Sequence, residues 1–281
     1  MLYILNGKLI ANESIDLAVN KNGSFWYGDG FFEAMKYVNG KILFVEQHWE
    51  RVVSSCSILK MENPFENIEQ FCDYADQLAN SLPLTPSKRF KLILWRNTFQ
   101  GYQPEGLNTE FLWISFDQAD IYYPLNNSGL RLGIYIENLK SISKLGNVKS
   151  NSSQLYVLAT LFTQAKGLDD SILLNSRKNP IETSRSNIWV INNDTLFTPP
   201  LNEGCLDGIM RRVLLEICNE ENIPVQQEPI TTDLLRTSKE VFTSSSIKGV
   251  QWVSSIDEAE YPTNDWAVRL SNLLNKKAYS L

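Results

Sequence analysis

Two features of the stretch Asn179 to Arg212 could do chemistry together: the carboxylate of Glu182 and the glycine Gly208, which opens a predicted helix. After Gly208 the apolar residues Ile209, Met210, Val213, Leu214, Ile217 and Cys218 recur with a helical period. The first turn of a helix leaves backbone N–H groups unpaired, and the helix dipole favours an anion such as a phosphate there. Glu182 lies at the edge of a hairpin predicted from Ile188–Ile191 and Thr195–Thr198 across Asn193-Asp194, and its carboxylate suits a basic nitrogen. One ligand with an anionic end and a basic nitrogen would use both features.

Around these residues the chain reads Glu182-Thr183-Ser184-Arg185-Ser186-Asn187-Ile188-Trp189, and then Thr198-Pro199-Pro200-Leu201 runs on to Gly208-Ile209-Met210-Arg211. In that order and spacing the two runs resemble the class IV aminotransferases, the pyridoxal-phosphate enzymes of fold type IV. That family includes branched-chain aminotransferases, D-amino-acid aminotransferases and aminodeoxychorismate lyases. The resemblance implies that Glu182 meets the pyridine nitrogen of pyridoxal phosphate, with Ser186 and Asn187 among the cofactor contacts. It implies that the N–H groups of Ile209 and Met210 and the hydroxyl of Ser246 hold the phosphate. Met210 departs from the threonine of many relatives, and Gly-Ile-Met-Arg is similar to the lyase branch.

Pyridoxal-phosphate chemistry needs an amine that condenses with the aldehyde and later shuttles a proton, a pair of tasks suited to lysine. Composition leaves Lys140, Lys144 and Lys149 open. The family pattern Lys-Ser-x-Asn-x-x-x-x-Val-Leu-Ala falls on Lys149-Ser150-Asn151-Ser152-Ser153-Gln154-Leu155-Tyr156-Val157-Leu158-Ala159, so the resemblance implies Lys149. Ser152 stands where asparagine is usual, and Ser153 replaces a larger residue.

The N-terminal half carries further matches. Tyr27-Gly28-Asp29-Gly30-Phe31-Phe32-Glu33 resembles the family segment that borders the substrate pocket, which makes Tyr27, Phe32 and Lys36 substrate candidates. Glu-Ala-Met-Lys-Tyr around Lys36 is similar to D-amino-acid aminotransferases. His48 and Arg51 fall in the first turn of a helix. By itself Arg51 reads as a solvated cation, whereas the family pattern His-x-x-Arg implies a grip on the cofactor phosphate, a task that suits a planar guanidinium. Arg96, at a strand end, reads equally as an exposed charge or as a clamp for a substrate carboxylate.

The elements that must position these residues alternate strand and helix. Hairpins are predicted over Tyr3–Ile10 at Asn6-Gly7 and over Glu33–Val38 with Ile42–Val45 at Asn39-Gly40. Amphipathic helices follow at Glu46–Lys60, with Trp49, Val52, Val53, Cys56 and Leu59 on one face, and from Phe65 to Leu82. Strands Phe90–Trp95 and Glu110–Phe116 flank a polar loop. Strand Arg131–Ile136 precedes the lysine cluster and a helix bearing Leu155, Leu158, Ala159, Leu161 and Phe162. The expected division is residues 1–120 as an N-terminal α/β domain, 121–129 as linker and 130–281 as a C-terminal domain, which the resemblance makes a pseudo-barrel. The fold class is thus α/β (α+β), two-domain, fold type IV.

The chain has 281 residues, 43% hydrophobic, with formal charge -6 and no basic block, so neither nucleic acid nor an anionic membrane is an expected partner. Cys56, Cys72, Cys205 and Cys218 form no CxxC pair and read as reduced residues of a cytoplasmic protein. His48 is the single histidine, so a multi-histidine metal site or a Ser-His-Asp triad would have to be built on it alone, and no metal is expected. The resemblance implies a homodimer that moves an amino group between an amino acid and a 2-oxo acid. Its alternative is aminodeoxychorismate lyase, with Gly-Ile-Met-Arg for it and Ala34 and Gln100 against it. A ligand-binding paralogue with little catalysis is a third reading, motivated by Ser152 and Ser153.

Overall fold

A computed structural model describes residues 2–279 apart from 12–14, 16, 18–20, 98, 101 and 119, and without the side chains of 99 and 100. Gln100 therefore lies outside the described side chains. The chain divides into two compact units, Met1–Ile121 with Val148–Ser153, and Tyr122–Asn147 with Gln154–Leu281. The expected boundaries do not contain this return of Val148–Ser153, the segment that carries Lys149, to the first unit.

The first unit is built on an antiparallel six-stranded sheet in the order Lys8–Ala11, Leu2–Leu5, Thr109–Gln118, Ser87–Arg96, Gly30–Val38, Lys41–Ile42. Its hairpins turn at Asn6-Gly7 and Asn39-Gly40, where all four residues have positive φ, the geometry that Asn-Gly pairs adopt at least cost. The second hairpin is shorter than expected. Its return strand stops at Ile42, and Val45 opens the helix Val45–Leu59, because Phe44 in the left-handed region redirects the chain. That helix and Ile68–Asn80 contribute Val52, Cys56, Phe71, Ala75 and Leu78 to a core with Phe31, Met35, Phe90, Leu92 and Trp113.

The expected buried stripe of the Val45–Leu59 helix needs correction. Val53 is exposed, and the face turned inward is His48, Arg51, Val52, Ser55 and Cys56, a regular helical spacing that includes three polar or charged members, of which His48 and Arg51 are received by Glu33. Arg51 is 4% exposed, so the solvated-cation reading does not hold.

The second unit closes six strands on themselves. Leu130–Lys140 pairs in parallel with Asp170–Asn175, which pairs with Pro180–Thr183. Asn187–Asn192, Glu240–Ser245 and Gly249–Ile256 continue the sheet, and Gly249–Ile256 returns in parallel to Leu130–Lys140. Closure occurs where Pro180–Thr183 meets Asn187–Asn192 through the Glu182–Asn187 pair. Thr195–Thr198 and Val225–Gln227 extend the sheet beyond this ring. Alternation sends Ile188, Val190, Val241 and Val253 into one core, while Trp189 stacks on Phe242 at 5.6 Å on the opposite side. The parallel pairing of Leu130–Lys140 and Asp170–Asn175 needs a crossover, which the helix Gln154–Lys166 supplies.

Candidate functional site

The seam of the closed sheet holds Glu182. Instead of standing at an exposed hairpin edge, it is 2% exposed, opposite Leu173 on one neighbouring strand and Asn187 on the other. Among the described residues, three donors reach its carboxylate. Lys140 Nζ donates to Oε1 at 2.5 Å, the Tyr156 hydroxyl donates to the same oxygen at 2.9 Å, and the Leu206 N–H donates to Oε2 at 2.7 Å. Lys140 is the last residue of its strand, 9% exposed, and also donates to the Gly146 carbonyl at 2.8 Å. Burial and the adjacent Glu182 carboxylate push the Tyr156 phenol well above its ordinary range, so it remains a donor. Burial, with Glu182 adding to it, raises the Cys205 thiol to about 12, which leaves that thiol protonated beside the carboxylate.

Asn187 connects this seam to the helix Ile209–Glu220. Its Nδ2 donates to the Leu206 carbonyl at 2.9 Å, and its Oδ1 approaches Gly208 so closely that a Cβ built there would lie 1.8 Å from it. Gly208 is the N-cap, without a side-chain hydrogen bond, and the backbone N–H groups of Ile209 and Met210 begin the first turn. Asn187 also faces Ser244 across the sheet, two residues before Ser246, whose carbonyl accepts the Tyr123 hydroxyl at 3.2 Å. Ser186 closes the turn back to the seam strand, where Thr183 N–H donates to its carbonyl at 2.7 Å. Glu182, Asn187, Leu206 and Gly208 thus form one connected network within the second unit.

In the first unit, Lys149 is pinned through its backbone, whose carbonyl accepts the Phe32 N–H at 2.9 Å. Asn151 fixes the same segment by donating its N–H to Gly30 and its side-chain amide to Leu94. The half-buried Lys149 ammonium lies 4.7 Å from the centre of the Phe32 ring. Lys91 Nζ lies at the same distance from that ring, a neighbour the sequence reading missed. Burial, with Arg89 adding to it, lowers the Lys91 amine below its ordinary value. Phe32 and Lys36 share one face of their strand by alternation, and Lys36 is 1% exposed.

Glu33 points to the other face. Arg51 Nε and Nη2 each donate to it at 2.6 Å, and His48 Nδ1 lies 2.7 Å from Oε2. Burial alone would raise this carboxyl, but the Arg51 charge and the His48 hydrogen bond prevail and hold it at about 2. Arg96 is neither exposed nor unoccupied. It donates to Asp29 at 2.8 Å, to the Lys60 carbonyl at 2.9 Å and to the Leu59 carbonyl at 2.6 Å. Beside it opens a cavity of about 460 Å³ walled by Tyr27, Asp29, Leu59, Tyr102 and Leu107. No helix among the described residues is long and apolar enough to cross a membrane.

The model of the family described as amino-transferase class IV matches residues 30–256, which span both halves of these networks. The chain belongs to this family. Class IV aminotransferases are pyridoxal-phosphate enzymes. Among relatives, an aminodeoxychorismate lyase of Vibrio harveyi is 29% identical over 258 residues, covering 90% of this chain and 93% of the relative. A D-alanine aminotransferase of Staphylococcus aureus is 25% identical over 279 residues, covering 94% and 91%. The solved branched-chain aminotransferase of Thermoproteus uzoniensis with norvaline superposes with a TM-score of 0.88 at 20% identity, covering 98% of this chain and 94% of that one. The class IV fold, two-unit and mixed α/β with a closed sheet in its second unit, is therefore the fold of this chain.

Proposed function

We propose that this class IV chain is a pyridoxal-phosphate-dependent aminotransferase moving an amino group between an amino acid and a 2-oxo acid. The observation that carries the reading is the donor count at Glu182. A carboxylate offers about four acceptor sites. Lys140 and Tyr156 occupy Oε1 and Leu206 occupies one site on Oε2, so a buried, charged oxygen keeps a place for a protonated ring nitrogen. Asn187 and Gly208 add the second half of the fit, since the glycine is the residue that lets the helix start this close to the seam. The Ile209 and Met210 N–H groups and the Ser246 hydroxyl are proposed to hold the phosphate, with Arg51, its guanidinium plane set by Glu33, as the cation.

When bound, the cofactor supplies an electron sink for the pair left as the substrate α-proton departs. Lys149 is proposed as the amine that would take this proton on Nζ and return it to the carbon of the former cofactor aldehyde, one nitrogen removed from the α-carbon. Lys140 is committed to the carboxylate that meets the ring nitrogen, and the aldehyde stands at the opposite end of the ring from that nitrogen. Lys144 is exposed. Phe32, Lys36 and Tyr27 are proposed to border the substrate, and Lys91 beside Phe32 adds a cation suited to a carboxylate. With its guanidinium already bound to Asp29 and two carbonyls, Arg96 is proposed to shape the cavity instead of gripping substrate.

A second reading, the lyase that removes pyruvate to leave 4-aminobenzoate, is favoured by Met210 and by the likeness to the Vibrio harveyi lyase. The assembly is proposed to be a homodimer, because the helix Gln154–Lys166 leaves Val157 57% and Leu161 54% exposed one turn apart. Four free cysteines suit a cytoplasmic setting.

The test is borohydride reduction of the cofactor-loaded protein followed by peptide mapping, beside assays of L- and D-amino acids with 2-oxoglutarate or pyruvate and of pyruvate release from aminodeoxychorismate. Label on Lys149 with amino transfer is the expected result. Pyruvate release without transfer selects the lyase, and protein that takes up no cofactor refutes both.

A further inference from the structure

Lys140 is absent from the family motifs quoted above, yet it makes the shortest contact to Glu182. Resting on the reading that Glu182 meets the ring nitrogen, we infer that Lys140 is a positioning residue that supplies this carboxylate's counter-charge and aims its second oxygen at the cofactor. The ammonium is held from both sides, by the Glu182 carboxylate at 2.5 Å and the Gly146 carbonyl at 2.8 Å, and it lies 5.5 Å from the centre of the Tyr156 ring. Exposed ion pairs fix little, but here both partners are buried, at 9% and 2% exposure. A buried charge is tolerated where it is paired and hydrogen-bonded, and removing one partner of such a pair leaves the other uncompensated.

The geometry also dictates which oxygen is available. Lys140 and Tyr156 converge on Oε1, so the carboxylate cannot rotate its free site toward the strand Leu130–Lys140 without breaking both bonds. Oε2 is steadied by the Leu206 N–H, which belongs to the segment leading into Gly208. The ring-nitrogen acceptor and the phosphate-facing helix start are thereby held in fixed relation within one unit, with Lys140 as the charged member of the lock. Gly146 lies in the 3-10 turn Lys144–Asn147, the last turn before the chain enters the segment that bears Lys149.

The test compares two ligands of the apoprotein by equilibrium fluorescence titration, with no turnover required. One is pyridoxal phosphate, the other its deaza analogue, in which carbon replaces the ring nitrogen. Wild type should prefer the natural cofactor by about 10- to 100-fold, the worth of one hydrogen bond to a charged group. Lys140→Met should reduce that preference to about threefold or less, and Lys140→Arg should restore it. Lys140→Gln, which keeps a neutral donor and disturbs packing less, should behave as Lys140→Met because the charge is what matters. Far-ultraviolet dichroism establishes that each variant is folded. Full preference retained in a folded Lys140→Met or Lys140→Gln overturns the inference, whereas a wild type that binds both ligands equally overturns the placement of Glu182 instead.

Discussion

Adding a single methyl group at Gly208 tests whether the seam and the helix start are one structure. The backbone there, at φ -74° and ψ 137°, is open to alanine, so any effect must come from space. A Cβ would sit 1.8 Å from Asn187 Oδ1 and 3.0 Å from its Cγ, far inside contact distance. Asn187 is 4% exposed and bound to the Leu206 carbonyl, so it can retreat only by giving up that bond, at a net cost of about 1 kcal/mol. Overpacking adds to this, and Gly208→Ala should lose about 2–3 kcal/mol of stability. Asn187→Ala alone loses the hydrogen bond but makes room, so the double variant should be more stable than the sum of the singles by about 1–2 kcal/mol. Urea unfolding followed by tryptophan fluorescence and by dichroism supplies all four values, and superposed transitions make them comparable. Gly208→Ala should also weaken pyridoxal phosphate by about tenfold, because the displaced first turn misdirects its N–H groups. Strict additivity in the cycle would refute the reasoning, since it would mean that Asn187 and Gly208 do not press on each other.

Two further outcomes follow from the same networks. Glu33 is held at about 2 against an ordinary 4.5, so the unfolded chain binds its proton first as pH falls. Its stabilisation is therefore complete above pH 4.5 and lost toward pH 2, by about 3 kcal/mol at 1.36 kcal/mol per unit. The stability difference between wild type and Glu33→Gln, from urea midpoints across that window, should shrink by this amount on acidification, and a pH-independent difference counts against the Arg51–Glu33–His48 cluster. For the assembly, Val157→Glu with Leu161→Glu should convert the proposed dimer to monomer in sedimentation velocity while leaving the fold intact, because both side chains point outward; a wild type that is already monomeric refutes the dimer, and a variant that stays dimeric moves the interface elsewhere.

Local signals in the sequence were strong wherever the structure is local. Asn6-Gly7, Asn39-Gly40 and Asn193-Asp194 all mark hairpin turns with both central residues at positive φ, as their types require. Gly208 is the N-cap of the helix expected there. What stayed hidden depends on partners distant in the chain. The inward stripe of Val45–Leu59 is regular, but His48 and Arg51 are members of it, so a hydrophobic pattern selected Val53 instead. Only the arrival of Glu33 from a strand makes a charged stripe a buried one. Lys140 is one of three lysines that composition leaves open, and its pairing with Glu182 is hidden for the same reason, since that partner lies 42 residues away and meets it only once the sheet has closed.

That closure explains why the residue proposed to meet the cofactor also carries a role in the fold. Glu182 joins the ring of six strands through Asn187, and Asn187 in turn holds the Leu206 carbonyl while the Leu206 N–H holds Glu182. A ligand that engages Glu182 and the Ile209–Met210 turn at once would tighten the stitch that closes the sheet. Binding that favours the native state stabilises it by about 2.7 kcal/mol at a hundredfold excess over the dissociation constant. The second unit should therefore be markedly more resistant to urea with cofactor than without, and a substitution at Glu182 should remove that resistance as well as slow turnover. Loss of activity in such a variant then has two physical sources, and the cofactor-free unfolding midpoint is the measurement that separates them: a seam defect lowers it, whereas a purely chemical defect leaves it where it was.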